Sequence, residues 1–345
     1  MTTAQAAQQS SLPGTGSFRC AALASGRAFD ASEFIASAAP LSGLVQEAGY
    51  IWGSMRDDDG RLYSVMRRIP SAQSDAGPAS RKSLGGKLIV LSPELGADGM
   101  QLRREPRGAV DSADISGSLI ADNTACLASA PDAKGNPMRL VLDENDFSYH
   151  EAEVIDVGGR LAVPPLQWYL PGPRASLLYT SQTWLVEGAL VGKHVRGFLF
   201  WEQAWMLPGG RLYVEKDPLH DAEYLTWHSW ANHWPDGSCE VGHFLFGKHD
   251  FHVGLTAHSD GSVTSARKMD ARVTRADDGY WHEGIQYDLD GEPWVCETST
   301  QGRMRGLGPI PNPQQESRIH RLDDDRHPDV WMAWGETVPG AGNAR

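Results

Sequence analysis

Apolar residues alternate with polar ones, or run without interruption, in many short segments of the chain. The segments that predict strands are 48–56, 61–68, 87–92, 138–143, 150–156, 183–191, 194–206, 225–234, 238–246, 251–257 and 262–266. Asp-Gly and Gly-Gly pairs separate several of them, and Asp-Gly between alternating runs is a strong hairpin signal because glycine accepts a positive φ. Helical periodicity is weak, with short stretches near 29–38 and 218–225. The pattern predicts an all-β protein, mostly antiparallel, of sandwich or barrel type.

A proline-rich segment, residues 162–176 (AVPPLQWYLPGPRAS), separates two strand-rich halves. Proline cannot donate a hydrogen bond to a strand ladder, so this segment is a candidate domain boundary. Each half also contains a Trp-bearing strand, an acidic-Gly turn and a second strand. We therefore predict four parts: a partly disordered N-terminal segment (1–40), an N-terminal β domain (41–165), a C-terminal β domain (166–300) and a loop-like C-terminal extension (301–345).

The composition of the chain argues against several classes of binding partner and several locations. The net charge of −13 argues against nucleic acid, because phosphate binding requires clustered Lys and Arg. The four cysteines, Cys20, Cys126, Cys239 and Cys296, are far apart and predict neither a disulfide framework nor a zinc ribbon. The N-terminus lacks the pattern of a signal peptide, and no apolar run is long enough to span a membrane. A cytoplasmic location with reduced thiols is the expectation.

The segment 196–206, RGFLFWEQAWM, places a carboxyl group in an apolar run. On a strand, Phe200, Glu202 and Met206 share one face, while Trp201 and Gln203 share the other. Burial raises the pKa of a carboxyl group, and an acid that is neutral near pH 7 suits general acid catalysis. The alternative is an ordinary strand glutamate paired with a nearby Arg or Lys.

Histidine and tryptophan supply the other candidates. Six of the twelve histidines fall between residues 228 and 258, and His228 and His243 are candidates to position water or substrate beside Glu202. The pair His249 and His252 points to opposite faces of a strand and has no Cys or H-E-x-x-H partner, so no metal site is predicted. Tryptophan faces stabilise cations and equally often fill cores. The candidates to wall a pocket are Trp52, Trp201, Trp205, Trp227 and Trp230, together with Phe200.

Standard nucleotide and nucleophile motifs are absent from the sequence. There is no G-x-S-x-G elbow, no P-loop and no G-x-G-x-x-G that opens a helix. The glycine-rich GRMRGLG at 302–308 follows no strand signature and is rejected as a nucleotide site. These absences leave a cofactor-free enzyme or a binding protein.

The second half resembles the lipocalin-like carotenoid 1,2-hydratase/AttH superfamily, whose pattern is G-x-G/A-Y/W-x-D-H-x-W-G. Gly197, Phe200, Glu202 and Trp205 stand at its glycine, aromatic, acidic and tryptophan positions. A W-x-W-like strand and a D-G hairpin follow. The sequence departs from the pattern at Glu202-Gln203, where the family has Asp-His, and at Met206, where it has Gly. Glutamate keeps the acid, but glutamine removes a titratable partner.

The resemblance implies two lipocalin-like antiparallel β-barrel domains packed together, with few short helices. It also implies apolar substrates and no metal or nucleotide cofactor. The leading hypothesis is a cofactor-independent lyase (hydratase or dehydratase) or isomerase that acts on a terpenoid, steroid-like or other apolar small molecule. Glu202 would be its general acid/base, with Gln203 or His228 beside it.

Two alternatives remain open at this point. One is a pericyclic or cyclising enzyme of natural-product metabolism. The other is a non-catalytic lipocalin-like carrier of a hydrophobic ligand. The sequence leaves the oligomeric state undecided, with a homodimer as one option.

Overall fold

A computed structural model describes residues 28–35, 40–41, 43–71, 88–93, 99–170, 176–210, 212, 224–248, 251–305, 307 and 312–339. The predicted disorder before residue 28, most of the helical stretch near 218–225, and His249 lie outside these described residues. The predicted helical stretch near 29–38 contains a 3-10 turn at Ala31–Phe34, and two more such turns occur at Glu105–Gly108 and Ser112–Asp114.

Strands dominate the described structure. Those of the first half are β1 (Val45–Asp57), β2 (Leu62–Pro70), β3 (Ile89–Pro93), β4 (Met100–Leu102), β5 (Ile115–Ala121), β6 (Thr124–Ser129), β7 (Met138–Leu142), β8 (Asp146–Glu151), β9 (Ile155–Leu161), β10 (Leu166–Leu170), β11 (Leu177–Leu190) and β12 (Lys193–Met206). Those of the second half are β13 (Tyr224–His233), β14 (Cys239–Gly247), β15 (His252–His258), β16 (Val263–Ser265), β17 (Met269–Arg275), β18 (His282–Leu289), β19 (Glu292–Arg305), β20 (Gln314–Arg321) and β21 (Val330–Thr337). The prediction of an all-β protein is confirmed.

Strands β1 to β12 form one continuous antiparallel set, called the first unit below. Its order is β5-β6-β7-β8-β9-β11-β12-β1-β2-β3-β4, with β10 also paired to β11. The set curls around an apolar interior to which β1, β2, β6, β7, β11 and β12 all contribute. The 3-10 turn Ser112–Asp114, just before β5, contacts β2 and brings the ends of the set together.

Strands β13 to β21 form the second unit. Their order is β16-β15-β14-β13-β21-β20-β19-β18-β17, and β17 also contacts β14 and β15, so this set curls into a barrel as well. Its interior is lined by aromatic side chains that include Trp230, Phe244, Tyr287 and Trp294. A short parallel pairing of β4 with β19 joins the two units.

An apolar layer, called the interface below, lies between the two units. Trp52 and Phe200 enter it from the first unit, and Ala231, Val241 and Trp334 enter it from the second. β12 and β13 are buried along most of their length because both of their faces are covered, one by a barrel interior and one by the interface. Their nearly uninterrupted apolar sequence follows from this double burial.

The structure differs from the predicted loop-like extension after residue 300. β19 continues to Arg305, and β20 and β21 follow it as strands of the second unit. β20 begins with the polar run Gln314 to Ser317, which is buried rather than solvated. Strand prediction from apolar alternation cannot detect such a segment, because its side chains are polar although they are buried.

The predicted boundary between residues 165 and 166 falls directly before β10. Strands β11 and β12, which follow this boundary, hydrogen-bond to β9 and β1, which precede it. The division into domains stays a prediction. Within the described part of the chain, no helix is long and apolar enough to cross a membrane.

Candidate active site

Glu202 projects into the interface from the middle of β12. Its neighbours on the same face, Phe200, Ala204 and Met206, belong to the apolar clusters between the units, as the alternation predicts. β12 pairs with β1 on one side and β11 on the other, so Tyr50, Glu202 and Ser181 form one row across three strands. The carboxyl group is therefore carried by a strand that is paired on both sides along most of its length.

Four hydroxyl and indole donors surround the Glu202 carboxyl group. Oε2 accepts hydrogen bonds from the Trp52 indole at 2.7 Å and from the Tyr179 hydroxyl at 2.6 Å. Oε1 accepts longer ones from Ser229 at 3.2 Å and from Ser181 at 3.4 Å. Three of these donors come from the first unit, and Ser229 comes from β13 of the second. Both units therefore hold the same carboxyl group.

Burial dominates the acidity of Glu202. The side chain is 2% exposed, and desolvation raises its pKa from 4.5 to about 7, although the hydrogen bonds from Tyr179, Trp52 and the two serines act in the opposite direction. No Arg or Lys appears among the causes of this shift. At neutral pH the group is thus divided between the carboxylic acid and the carboxylate, the state that general acid/base catalysis requires.

His243 is the basic neighbour of Glu202. Its Nε2 lies 3.6 Å from Glu202 Oε1, and its Nδ1 lies 3.1 Å from the Ser229 hydroxyl. If Ser229 donates to Glu202, the Nδ1–H of His243 donates to Ser229, and Nε2 is left as an acceptor facing the acid. Complete burial lowers the pKa of His243 to about 3, so the imidazole is neutral. The histidine therefore adds no positive charge beside Glu202 at neutral pH.

Aromatic rings enclose this pair. Trp52 stacks on Phe200 at 4.9 Å between ring centroids, and Tyr179 stacks on Trp168 at 4.7 Å. Trp227 meets Tyr179 edge to face at 5.2 Å. Partly buried side chains of Tyr50, Tyr169, Leu212 and Val338 pack at the border of the same apolar cluster. The surroundings are electron-rich and apolar, which favours a cationic intermediate of a hydrophobic compound.

The structure thus brings together five of the residues predicted from sequence. Glu202, His243, Trp52, Phe200 and Trp227 all face the interface. Their functional roles stay predictions, but their grouping around one carboxyl group is an observed feature of the fold.

Three other predicted site residues lie on the opposite face of β12. Trp201 belongs to the interior of the first unit, where its ring packs against the backbone of Gly49. Gln203 is fully buried there, and its amide binds Thr180 and the backbone carbonyl of Glu33. Trp205 is three residues from Glu202 on the same strand and therefore also points to the opposite face. Their predicted grouping with Glu202 is wrong, because adjacent strand residues point to opposite faces.

His228 and Trp230 are also directed away from Glu202. Both lie inside the second unit, His228 beside Tyr287 and His282, and Trp230 in the apolar cluster with Trp294. Thr226 and Tyr287 contact His228 Nδ1 at 3.0 and 3.1 Å. The predicted placement of His228 beside Glu202 is wrong. Its neighbour in sequence, Ser229, occupies that place.

Sequence reasoning missed Tyr179, Ser181 and Ser229. Tyr179 and Ser181 are two residues apart on β11, which is the spacing of one strand face, but their sequence does not reveal the register that sets them opposite Ala204 and Glu202. Ser229 lies two residues after Trp227 and therefore shares its face of the strand, so assigning Trp227 to the interface would also have placed Ser229 there.

A second buried acid, Glu316, lies elsewhere in the interface. Burial raises its pKa to about 7, but the Arg56 guanidinium lies 3.4 Å away and stabilises its ionised form. Glu316 thus matches Glu202 in burial and differs from it in having a cationic partner. Among the residues that the structure describes, no three His, Cys, Asp or Glu side chains come together as a metal site.

Comparison with known proteins yields structural likeness only. No family model and no curated protein matches the chain. Among solved structures, a protein from Nitrosomonas europaea provisionally assigned as AttH has 13% sequence identity and a TM-score of 0.49, over 87% of this chain and 93% of that one. Kievitone hydratase from Nectria haematococca has 9% identity and a TM-score of 0.43, over 92% of this chain and 97% of that one. The first of these has the name AttH in common with the family that the sequence resembles. Likeness at this level carries no information about what the chain does.

Proposed function

We propose that the protein is a cofactor-independent lyase or isomerase, most simply a hydratase or dehydratase, that acts on an apolar small molecule of the terpenoid or steroid-like type. The observation that carries this proposal is the Glu202 carboxyl group, buried between two β units with a pKa of about 7 and no cationic partner among the causes of its shift. Because both the acid and the carboxylate of such a group are populated near pH 7, it can donate a proton to carbon and accept one at the same pH.

The proposed chemistry begins with transfer of the Glu202 proton to one carbon of a double bond. A new C–H bond forms, the π bond breaks, and the adjacent carbon becomes a cation. In a hydratase, water then adds to the cation and one of its protons returns to the Glu202 carboxylate. In an isomerase, the cation instead loses a proton from a different carbon to that carboxylate, which gives an isomer. The reverse sequence is dehydration. Trp52, Tyr179 and the two serines hold the conjugate carboxylate of Glu202, since all four donate hydrogen bonds to it.

His243 supports this role by remaining neutral. A protonated imidazole 3.6 Å from Glu202 would keep the carboxyl group ionised and remove it as an acid. The pKa of about 3 for His243 excludes that state at neutral pH. The rings of Trp52, Phe200 and Trp227 supply the apolar wall and electron-rich faces toward a developing cation.

The test uses isotope exchange, because the substrate is unidentified. The wild-type protein is incubated in D₂O with citronellol and a panel of other terpenoid and steroid-like alkenes and tertiary alcohols, and each compound is analysed by mass spectrometry. We expect deuterium at carbon in at least one compound class, and its loss in Glu202→Gln. Glu316→Gln is the matched control, since it alters an equally buried acid that is paired with arginine.

Two outcomes would contradict the proposal. Wild-type turnover by a folded Glu202→Gln variant would remove Glu202 from the chemistry. Saturable quenching of tryptophan fluorescence by panel compounds, without deuterium uptake or a change in ligand mass, would favour a carrier instead.

A further inference from the structure

A small cavity lies at one end of the second unit, and its volume is about 180 Å³. Its wall is formed by residues within 234–240, 258–260 and 321–326, that is, by the turn between β13 and β14, the turn after β15, and the end of β20 with the loop that follows it. None of these residues binds Glu202. This space, called the end cavity below, is therefore separate from the candidate active site.

A buried carboxylate, Glu240, forms part of the wall of the end cavity. Its side chain is 2% exposed, and Arg321 Nη1 donates to Oε1 at 2.7 Å. His258 Nε2 lies 3.8 Å from the same oxygen. Arg321 is fixed in turn, because it binds Glu292 at 2.8 Å and its guanidinium lies 4.2 Å from the ring centroid of Trp294. The wall thus presents a carboxylate and a guanidinium in fixed positions.

A second guanidinium and a second carboxylate lie at the rim of the end cavity. The Arg326 guanidinium lies 4.2 Å from the ring centroid of Trp234, which is 3% exposed, and it binds Asp324 at 2.7 Å. The exposed Asp260 accepts two hydrogen bonds from Ser262, which lower its pKa and keep it ionised. The cavity therefore has charged hydrogen-bonding groups at its wall and at its rim, together with one buried indole.

The carboxylates and guanidinium groups that line the end cavity are equal in number. Glu240 and Asp260 supply two negative charges, and Arg321 and Arg326 supply two positive ones. A simple anion or cation would be attracted by one pair and repelled by the other. A neutral hydroxyl compound avoids this conflict, because each hydroxyl group can donate to a carboxylate and accept from a guanidinium. A carboxylate accepts up to about four hydrogen bonds and a guanidinium donates five, more than the contacts above use.

The size of the end cavity limits the ligand further. Pockets for drug-sized molecules begin at about 300 Å³, so a cavity of about 180 Å³ is too small for a terpenoid or steroid-like compound. We propose that the end cavity binds a neutral polyhydroxyl compound of the size of one monosaccharide. Adjacent hydroxyl groups bind Glu240 and Arg321, and C–H groups of the ring contact Trp234. This inference does not depend on the proposed function.

Saturation-transfer NMR on the full-length protein tests this site. The probes are D-glucose, D-galactose, D-mannose and D-xylose, each also as its methyl glycoside. We expect saturable binding of at least one probe, weakened about tenfold in Glu240→Gln, where an amide donor replaces an acceptor oxygen. Arg326→Ala should weaken binding about fivefold. The Arg326 side chain is 56% exposed, so this variant tests the site without disturbing the core.

Arg61→Ala is the matched control, and it should bind as the wild type does. Arg61 lies on the turn between β1 and β2 of the first unit, is 57% exposed, and pairs with an aspartate two residues earlier, as Arg326 does. Absence of binding to every probe, or undiminished binding in Arg326→Ala, would overturn the inference. Tighter binding of acetate or methylammonium than of any sugar would overturn it as well.

The methyl glycosides distinguish two sources of the same chemistry. Methyl glycosides that bind as tightly as the free sugars would support the inference with the sugar end of a glycoside as the ligand. Free sugars that bind more tightly than their methyl glycosides would support it with a free monosaccharide. Either pattern counts only if Arg326→Ala weakens the binding and Arg61→Ala does not.

Discussion

The Tyr179 hydroxyl lies 2.6 Å from Oε2 of Glu202, and it reaches that atom from the neighbouring strand of the same sheet. This hydrogen bond favours the ionised carboxylate and so opposes the effect of burial. The acidity of Glu202 is therefore a balance between desolvation, which retains the proton, and four donors, which release it.

Removal of this donor should raise the pKa of Glu202 above about 7. In Tyr179→Phe the ring and its stacking on Trp168 are kept, and only the hydroxyl is lost. The measurement is a pH titration of the infrared band of the protonated carboxyl group that Glu202→Gln abolishes. Tyr287→Phe, which alters a buried tyrosine inside the second unit, should leave the midpoint unchanged. A lower midpoint in Tyr179→Phe would refute this account.

The raised pKa of Glu202 also predicts how stability depends on pH. A carboxyl group with a folded pKa of about 7 and an ordinary value of 4.5 binds its proton more tightly when folded. Its contribution is complete below pH 4.5, and it is lost as the pH rises to 7. Between pH 5 and pH 8, the free energy of unfolding of the wild type should fall by about 2 to 3 kcal/mol more than that of Glu202→Gln.

Urea denaturation at the two pH values gives this difference, and the comparison cancels groups that titrate in both proteins. Glu202→Gln imitates the protonated acid, so its curve should be flatter with pH. Parallel pH dependence of the two proteins would mean that Glu202 has an ordinary pKa.

The interior of the first unit contains a buried ion pair that should be costly to break. Arg67 and Glu151 are both fully buried and bind each other, with further hydrogen bonds to Ser112 and Tyr149. Glu151→Gln leaves the guanidinium without its anion, and we expect a loss of about 3 to 5 kcal/mol in the free energy of unfolding.

A half-exposed pair serves as the control for this change. Glu292 binds Arg321 at 2.8 Å, and its side chain is 49% exposed. Glu292→Gln should cost less than about 1 kcal/mol, because solvent screens the pair. Similar losses for the two variants would show that the Arg67 network does not behave as a buried pair.

Gly335 is expected to tolerate no side chain. A Cβ atom at this position would lie 2.1 Å from the ring of His228, inside the second unit. Gly335→Ala should lower the free energy of unfolding by about 1 to 3 kcal/mol. Gly158→Ala is the matched strand control, where the nearest atom outside the adjacent residues lies at 3.6 Å. Thermal unfolding of the two variants measures the difference, and equal melting temperatures would contradict the tight contact with His228.

Apolar alternation was sufficient to predict ten of the 21 described strands and the face of β12 that Glu202 occupies. The reason is physical, because a strand between two apolar layers must separate its side chains onto two faces. The same rule, applied to the predicted strand at 225–234, places His228 and Ser229 on opposite faces, so only one of them can lie beside Glu202. The spacing of the motif could not decide which of these two residues lies toward the interface, because one tryptophan of the strand, Trp227, shares a face with Ser229 and the other, Trp230, shares a face with His228.

The residues that act across strands could not be predicted. Tyr179 reaches Glu202 because β11 pairs with β12 in one particular register, and Glu316 reaches the interface because β20 is a strand. The register between two strands has no signature in the sequence of either one, and a strand of buried polar residues shows no apolar periodicity. Neither feature can therefore be predicted from the pattern of apolar residues. The polar sequence of β20 is stable in the interior because partners come from both units: Arg56 of the first unit pairs with Glu316, and Trp334 of the second donates to Gln314.

The junction of the two units has a chemical consequence for the acid that it buries. Glu202 is held by donors from β1 and β11 on one side and from β13 on the other, and water is excluded only while both sheets are in contact. If the two sheets separate, hydration returns Glu202 to the acidity of an ordinary glutamate, and its proton is lost to solvent. The raised pKa of Glu202 is therefore a property of the two units in contact, and neither unit possesses it alone.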